Sequence, residues 1–377
     1  MNILFVTGHP AQVHNFRNVR AQLLEHGHQV YWLTTPKDIA TNLLDAYHIP
    51  YNVLQKPQKN IFSQACTMIR NVVWEIVFLL KKHIDVVVTR TDPYTAIAAW
   101  VCRIPNIMLQ DTEHAAVSRL QGPFARFGNA YIEPACFSLH VRPDEMRFPG
   151  NIELFYLHPY RYVPQLAWNL LQIEPNTPFV VVRFVKWDAF HDKNLVGGFT
   201  LDQKRELISR LHKHMRVFIS SESELPADLE PYRIQIPIER MHDVQAAASL
   251  FVGESATMAS ESVCLGTPAI YIDEVGRGYT DEEAREQLLW MYRPVPTREE
   301  LKPNEPAWIS GGVKECIDKA EEIASPDFDR EAYAKRHKAW LATKIDSTAF
   351  LTWFIENYPE SVAKTKNADK EFWEKFR

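Results

Sequence analysis

The residues best suited to chemistry fall in one segment, Gly253-Glu254-Ser255-Ala256-Thr257-Met258-Ala259-Ser260-Glu261-Ser262, which closes with Leu265-Gly266-Thr267-Pro268. It follows an apolar run at 250–252 and opens a helical pattern. Small and hydroxylated residues at a helix start leave backbone N–H groups free to meet an anion. Ser255 and Thr257 can add hydroxyl donors. Glu261 lies four residues after Thr257 on the same helical face, where a carboxylate can accept hydrogen bonds from sugar or ribose hydroxyls. The same pattern also suits an ordinary helix that Ser255 or Thr257 merely caps.

Three further clusters sit just after apolar runs. Gly8-His9-Pro10-Ala11-Gln12-Val13-His14 offers two imidazoles, and a neutral imidazole near pH 7 can take a proton from a hydroxyl. The plainer reading has His9 and His14 cap or pack near the loop. Asp92 follows the run 86–88, and Asp111 with Glu113 follows 107–109. Such acids can act as base and acid at a sugar carbon or orient an acceptor, or they can cap a helix and line solvated turns. Arg183, Lys186, His191 and Asp192 follow a strong strand pattern. A guanidinium and an ammonium there would neutralise a diphosphate, and a charge inside a strand pattern needs a partner. Trp187 and Phe190 suit packing. No spacing suggests a metal site.

Residues of this kind need a frame that delivers them to one edge. Ile3–Val6, Val30–Leu33, Val86–Val88 and Ile107–Leu109 read as short buried strands. Helical patterns (Phe16, Val19, Leu23, Leu24; Thr95–Cys102) lie between them. The alternation restarts with Phe179–Val185, a helix over Leu201–His214, Val217–Ile219, Leu250–Val252, a helix over Ala256–Cys264, and Ala269–Ile272. Short apolar strands alternating with helices predict parallel sheets covered on both faces. The stretch His158–Pro178, with four prolines, reads as the linker. The expected division is therefore 1–163, 164–345 and a helical tail 346–377 that packs back on the body. In open α/β sheets ligands bind beyond the carboxyl ends of the strands, which is where all four clusters fall.

Composition narrows the class. The chain has 377 residues, 46% apolar and 24% charged, with formal net charge −5. That is too apolar for disorder and lacks the basic excess of a dedicated nucleic-acid binder. The most apolar run, Val72–Leu80, is short and holds Glu75, so it does not span a bilayer. Met1–Val6 has no basic stretch and no cleavage site, so no signal peptide is expected. The five cysteines (Cys66, Cys102, Cys136, Cys264, Cys316) are scattered, with no CxxC pair, as suits a reducing cytosol.

The stretch Met241-His242-Asp243-Val244-Gln245 through Glu254-Ser255, Glu261 and Leu265-Gly266-Thr267-Pro268-Ala269 resembles the donor-binding half of GT-B nucleotide-sugar enzymes, both the GT-B glycosyltransferases and the non-hydrolysing UDP-N-acetylglucosamine 2-epimerases. The whole chain resembles the DUF354 family. That likeness rests on the segments 9–18, Asp111-Thr112-Glu113-His114-Ala115, Tyr156-Leu157-His158-Pro159, 183–192 and 253–268. The resemblance implies a GT-B-like α/β fold, two doubly wound Rossmann-like domains facing across a cleft. It implies a phosphate role for Ser255, Ala256 and Thr257 and a hydroxyl-binding role for Glu261; Arg183, Lys186, His191, Met241 and Glu254 complete the expected donor-binding set. Ala256 and Thr257 stand where glycines are usual.

The leading expectation is a GT-B-type glycosyltransferase working on cell-surface polysaccharide or glycoconjugates. A UDP-linked nucleotide sugar would be the donor, a glycan or lipid-linked molecule the acceptor, and His9, His14, Asp92, Asp111 or Glu113 the activating group. No metal and no cofactor beyond the nucleotide sugar is expected, and no nucleic-acid partner. The expected location is the cytoplasm, extending to the inner membrane surface. Two alternatives stand beside it. The cluster of acids suits a sugar-nucleotide 2-epimerase, although Arg183-Phe184-Val185 replaces the histidine-arginine-glutamate signature of those enzymes. The other alternative is a non-catalytic nucleotide-sugar binding protein.

Overall fold

Five of the six residues of the first strand, β1 (Asn2–Thr7), are buried, as expected of an apolar run covered on both faces. The computed structural model describes residues 1–35, 38–55, 61–90, 92–111, 122–138, 142, 144–185, 198–221 and 224–377. They form two units, Met1–Arg161 with Lys344–Arg377, and Tyr162–Thr343.

In the first unit β1 leads to α1 (Pro10–Glu25), β2 (Gln29–Thr34), α2 (Asp38–Ala46), β3 (Asn52–Val53), α3 (Ile61–Lys81), β4 (Val86–Thr89), α4 (Pro93–Cys102) and β5 (Asn106–Leu109). After a 3-10 turn at Gly122–Phe127 come β6 (Ala130–Pro134), β7 (Met146–Phe148) and α5 (Leu154–Leu157). Helix α1 has proline in its first turn, where the missing N–H costs nothing. The chain then turns through Gly27, whose φ of +84° suits glycine. All strands pair in parallel, in the order β3-β2-β1-β4-β5-β6-β7. Chain direction therefore reverses across the sheet between β1 and β4, and a crevice forms beyond the carboxyl ends of such a pair.

The second unit runs α6 (Trp168–Leu171), β8 (Phe179–Phe184), α7 (Leu201–His212), β9 (Arg216–Ser221), α8 (Met241–Ala247), β10 (Leu250–Gly253), α9 (Ala256–Cys264) and β11 (Ala269–Ile272). It ends with α10 (Gly278–Arg285), β12 (Leu289–Tyr292), β13 (Ile309–Gly311), α11 (Val313–Ala324) and α12 (Arg330–Leu341). The parallel order is β13-β12-β11-β10-β8-β9, with the reversal between β8 and β10. Val180, Val182 and Phe184 alternate into a core shared with Leu250, Val252, Ile270 and Leu207. Arg183, between them in sequence, points to the other face of the sheet.

The chain then returns to the first unit through α13 (Ser347–Glu356), α14 (Glu360–Lys366) and α15 (Lys370–Glu374). Asp346 caps α13 by accepting from the N–H groups of Thr348 and Ala349, and it pairs with Arg161 at 2.6 Å. Phe350 lies 5.5 Å from Phe148 and 5.6 Å from Phe376, so the aromatic residues of the last segment pack inward. Strands β3, β6, β7, β12 and β13 were not foreseen from the sequence. They are two to five residues long, and β6 and β7 carry Glu133 and Arg147, an ion pair at 2.7 Å that hides their apolar alternation. Among the described residues no helix is long and apolar enough to cross a membrane.

Candidate functional site

In the first unit the loops after β1, β4 and β5 are tied together by side chains. Gly8 N–H donates to Gln12 Oε1 at 2.7 Å, and Gln12 Nε2 donates to Asp111 Oδ2 at 3.1 Å. The other oxygen of Asp111 pairs with Arg90 Nε at 2.8 Å. Asp111 is thus an anchor of this edge, engaged at both oxygens. Glu113 lies outside the described residues. Neither Gln12 nor Arg90 stood out in the sequence, because each acquires meaning only when three loops distant in the chain meet.

His9 is exposed and caps α1, its Nδ1 accepting from Ala11 N–H at 3.3 Å. His14 is buried one turn into α1, stacked on Tyr156 at 5.2 Å and hydrogen-bonded through Nδ1 to the Tyr47 hydroxyl at 3.2 Å. Of the two imidazoles, His9 alone combines exposure with a strand-end position. Asp92 caps α4 by accepting from Thr95 N–H at 2.9 Å. Burial nevertheless raises its pKa, against the lowering effect of the N–H donors. Behind it, α3 contributes Glu75, fully buried, with neither carboxyl oxygen in a well-formed hydrogen bond among the described residues. Burial, and then the charge of Asp92, push Glu75 well above the usual carboxylate range, which favours its neutral, protonated form.

In the second unit the reversal point brings Arg183 and the 253–261 segment together. Gly253 pairs with Arg183 in register, and Glu254 N–H donates to the Arg183 carbonyl at 3.0 Å. A Cβ at Gly253 would come within 2.7 Å of that carbonyl, so glycine is required for the strands to approach. The Arg183 guanidinium donates to Ser220 Oγ on β9 at 3.0 Å. Ser255 caps α9, accepting from Met258 N–H. The backbone N–H groups of Ala256 and Thr257 have no partner among the described residues, and both residues are partly exposed. The start of α9 therefore offers free donors and the positive end of a helix dipole.

Two acids of this segment have different surroundings. Glu254 is 9% exposed and accepts from Val185 N–H at 2.8 Å and Phe199 N–H at 2.9 Å. It bridges the two ends of the chain segment that holds Lys186 and His191, which lie outside the described residues. Gly198, at φ +100°, sits against the Glu254 carboxylate with no room for a Cβ. Glu261 is buried and meets His242 Nε2 at 3.1 Å. Helix α8, which begins at Met241, is latched to α9 by Gln245 Nε2, which donates to the Met258 carbonyl at 2.8 Å. His242 was missed as a site residue, since its spacing of 19 residues from Glu261 matches no local pattern. Among the described residues no group of three or more His, Cys, Asp or Glu side chains could hold a metal ion.

The architecture matches several solved enzymes. UDP-GlcNAc 2-epimerase from Neisseria meningitidis, solved bound to UDP-GlcNAc, superposes with a TM-score of 0.63 at 14% identity, covering 97% of this chain and 100% of that one. MurG from Acinetobacter baumannii gives 0.57 at 13% identity, over 94% and 99%. The chain has a GT-B-like fold. The glycotransferase of kitacinnamycin gives 0.57 at 11% identity, over 94% and 98%. At such identities the likeness establishes the GT-B-like architecture. No protein-family model matches the chain, and no curated protein matches it in sequence.

Proposed function

We propose that the chain is a GT-B-type glycosyltransferase that moves a sugar from a UDP-linked donor to a glycan or lipid-linked acceptor in cell-surface glycoconjugate synthesis, as a DUF354-like protein. The observation that carries this reading is the start of α9. N–H groups at Ala256 and Thr257, without a partner among the described residues, lie at the reversal point of the second sheet, with the Glu261 carboxylate one turn further on. Donors of this kind stabilise a leaving diphosphate as its charge develops, because they are fixed before the reaction begins. Arg183 adds a cation that is always charged. The Neisseria relative, solved with UDP-GlcNAc, supports a nucleotide-sugar ligand.

Among the candidates for activating the acceptor, His9 combines exposure with a strand-end position. A second reading, a 2-epimerase, is favoured by Asp92. Its raised proton affinity suits a group that alternately takes and returns a proton at a sugar carbon. Incubation with UDP-GlcNAc and other UDP-sugars separates these readings. Free UDP that appears only with an acceptor supports the transferase. Interconversion of C2 epimers without acceptor overturns it in favour of the epimerase. Binding seen as a thermal shift without turnover overturns both in favour of a binding protein.

A further inference from the structure

We propose that the outward face of α3, together with the C-terminal end of α4, is a docking surface for an anionic lipid bilayer. On α3, Ile69, Val73, Val77 and Leu80 recur at helical spacing along one face, and each is more than half exposed. Helix α4 packs beside α3 and adds Trp100, 63% exposed, and Val101, 50% exposed. Single exposed apolar residues are ordinary, but a stripe continued onto a neighbouring helix is not. The face of α3 turned to the core holds Leu79 and Glu75, so the exposed stripe is not the core side of the helix.

Among the described residues, every exposed charge on these two helices and the segment 122–129 is positive. Arg70, Lys81, Lys82, Arg103 and Arg126 are exposed, and among the described residues none forms an ion pair. Helices α3 and α4 and the segment 122–129 contain one acid, Glu75, which is buried. The next acid, Asp85, accepts from the Asn2 N–H at 2.7 Å. A chain of net charge −5 thus gathers cations around its exposed apolar stripe. Trp100 and Phe127 pack edge to face at 5.8 Å and, with Arg103 and Arg126, line a groove of about 810 Å³.

These observations favour a bilayer over a second copy of the chain. A twofold contact would set the same cations against one another. Anionic headgroups attract them, while acids elsewhere on the protein are screened beyond about 8 Å at physiological salt. Apolar side chains enter the boundary of the acyl region and the cations meet the headgroups. Helices α3 and α4 run down to the amino ends of β4 and β5, whereas Asp92 and Asp111 follow their carboxyl ends. Contact through Leu80, Lys81, Trp100 and Arg103 therefore leaves those loops uncovered.

The test is co-sedimentation of the full chain with vesicles of phosphatidylcholine alone or with one third phosphatidylglycerol. The wild type should partition onto the anionic vesicles and release as salt rises. The double variant Arg103→Gln/Arg126→Gln should lose roughly 25-fold in partitioning, about fivefold for each cation. Val77→Ser/Trp100→Ser should lose a similar amount through its apolar contacts. These side chains are exposed, and an unchanged thermal melt verifies that each variant folds. Equal binding to both kinds of vesicle, no binding, or wild-type binding by both variants overturns the proposal. A wild-type dimer in sedimentation velocity that Val77→Ser/Trp100→Ser dissolves assigns the face to a second copy and overturns it as well.

Discussion

Glu254 offers the sharpest test of how the second unit builds its edge. Its carboxylate accepts from the N–H groups of Val185 and Phe199, at 2.8 and 2.9 Å, while being 9% exposed. Lys204 is also buried; burial pulls its pKa down and the charge of Glu254 opposes this. Glu254→Ala leaves two N–H groups without their acceptor and removes the negative charge that acts on the Lys204 ammonium. Each orphaned donor costs about 1–3 kcal/mol, so the two together cost about 2–6 kcal/mol. Glu254→Gln keeps one acceptor and turns an amide toward the other N–H, for a loss of about 2 kcal/mol. Urea unfolding followed by tryptophan fluorescence should show the midpoint falling in the order wild type, Gln, Ala, with the slope unchanged. If Glu254→Ala unfolds with the wild type but loses UDP-GlcNAc binding, the carboxylate serves a ligand and the structural account of this residue is wrong.

Three other outcomes follow from single contacts. Burial and the neighbouring Glu145 push Glu133 up to about 8, from 4.5, despite Arg147 at 2.7 Å. A carboxyl whose affinity for protons rises on folding stabilises the protein below its unfolded pKa and loses that contribution as pH climbs through 8. Unfolding free energy should therefore fall by on the order of 4 kcal/mol between pH 4.5 and 8, and Glu133→Gln should flatten that slope; a variant with the wild-type profile would exclude Glu133 as its source. Gly253→Ala drives a methyl into the Arg183 carbonyl at 2.7 Å and into its Cβ at 2.9 Å, so it should cost about 1–3 kcal/mol and abolish any thermal shift with UDP; a variant that keeps the wild-type melting temperature counts against the close strand pairing. Glu261→Gln keeps a group that can hydrogen-bond to His242 but removes the charge, and should weaken UDP-GlcNAc binding by about tenfold or more in calorimetry with little change in melting temperature; unchanged binding removes Glu261 from the site.

The frame was legible where strands are apolar on both faces. Val86–Val88 and Leu250–Val252 read as buried strands because no polar residue interrupts them, and they lie at the reversal points of the two sheets. Strands that carry charge escaped the same test. Glu133 and Arg147 sit in register on neighbouring strands, and each looks polar until its partner is known. The α9 start was legible for a local reason: a cap residue and the donors it frees lie within a few positions of one another.

Side-chain partnership was the part that sequence could not supply. Asp111 read as a candidate base, yet it is held by Gln12, 99 residues away, and by Arg90. A carboxylate engaged at both oxygens suits an anchor better than a proton carrier. Asp92 differs in kind. It lies before the buried Glu75, which has no well-formed hydrogen bond among the described residues, and two carboxyl groups in one poorly hydrated place cannot both be charged without large cost. The neutral member is Glu75, which burial disfavours most as an anion. Asp92 therefore sits in an environment where taking up a proton is easier than in water. If any acid of the first unit moves a proton, that environment points to Asp92, whose proton affinity burial raises. Glu75→Gln exchanges one neutral side chain for another of the same shape, so the carboxyl signal of Asp92 in NMR should titrate where it does in the wild type, and a titration that falls to lower pH would show that Glu75 carries charge beside it.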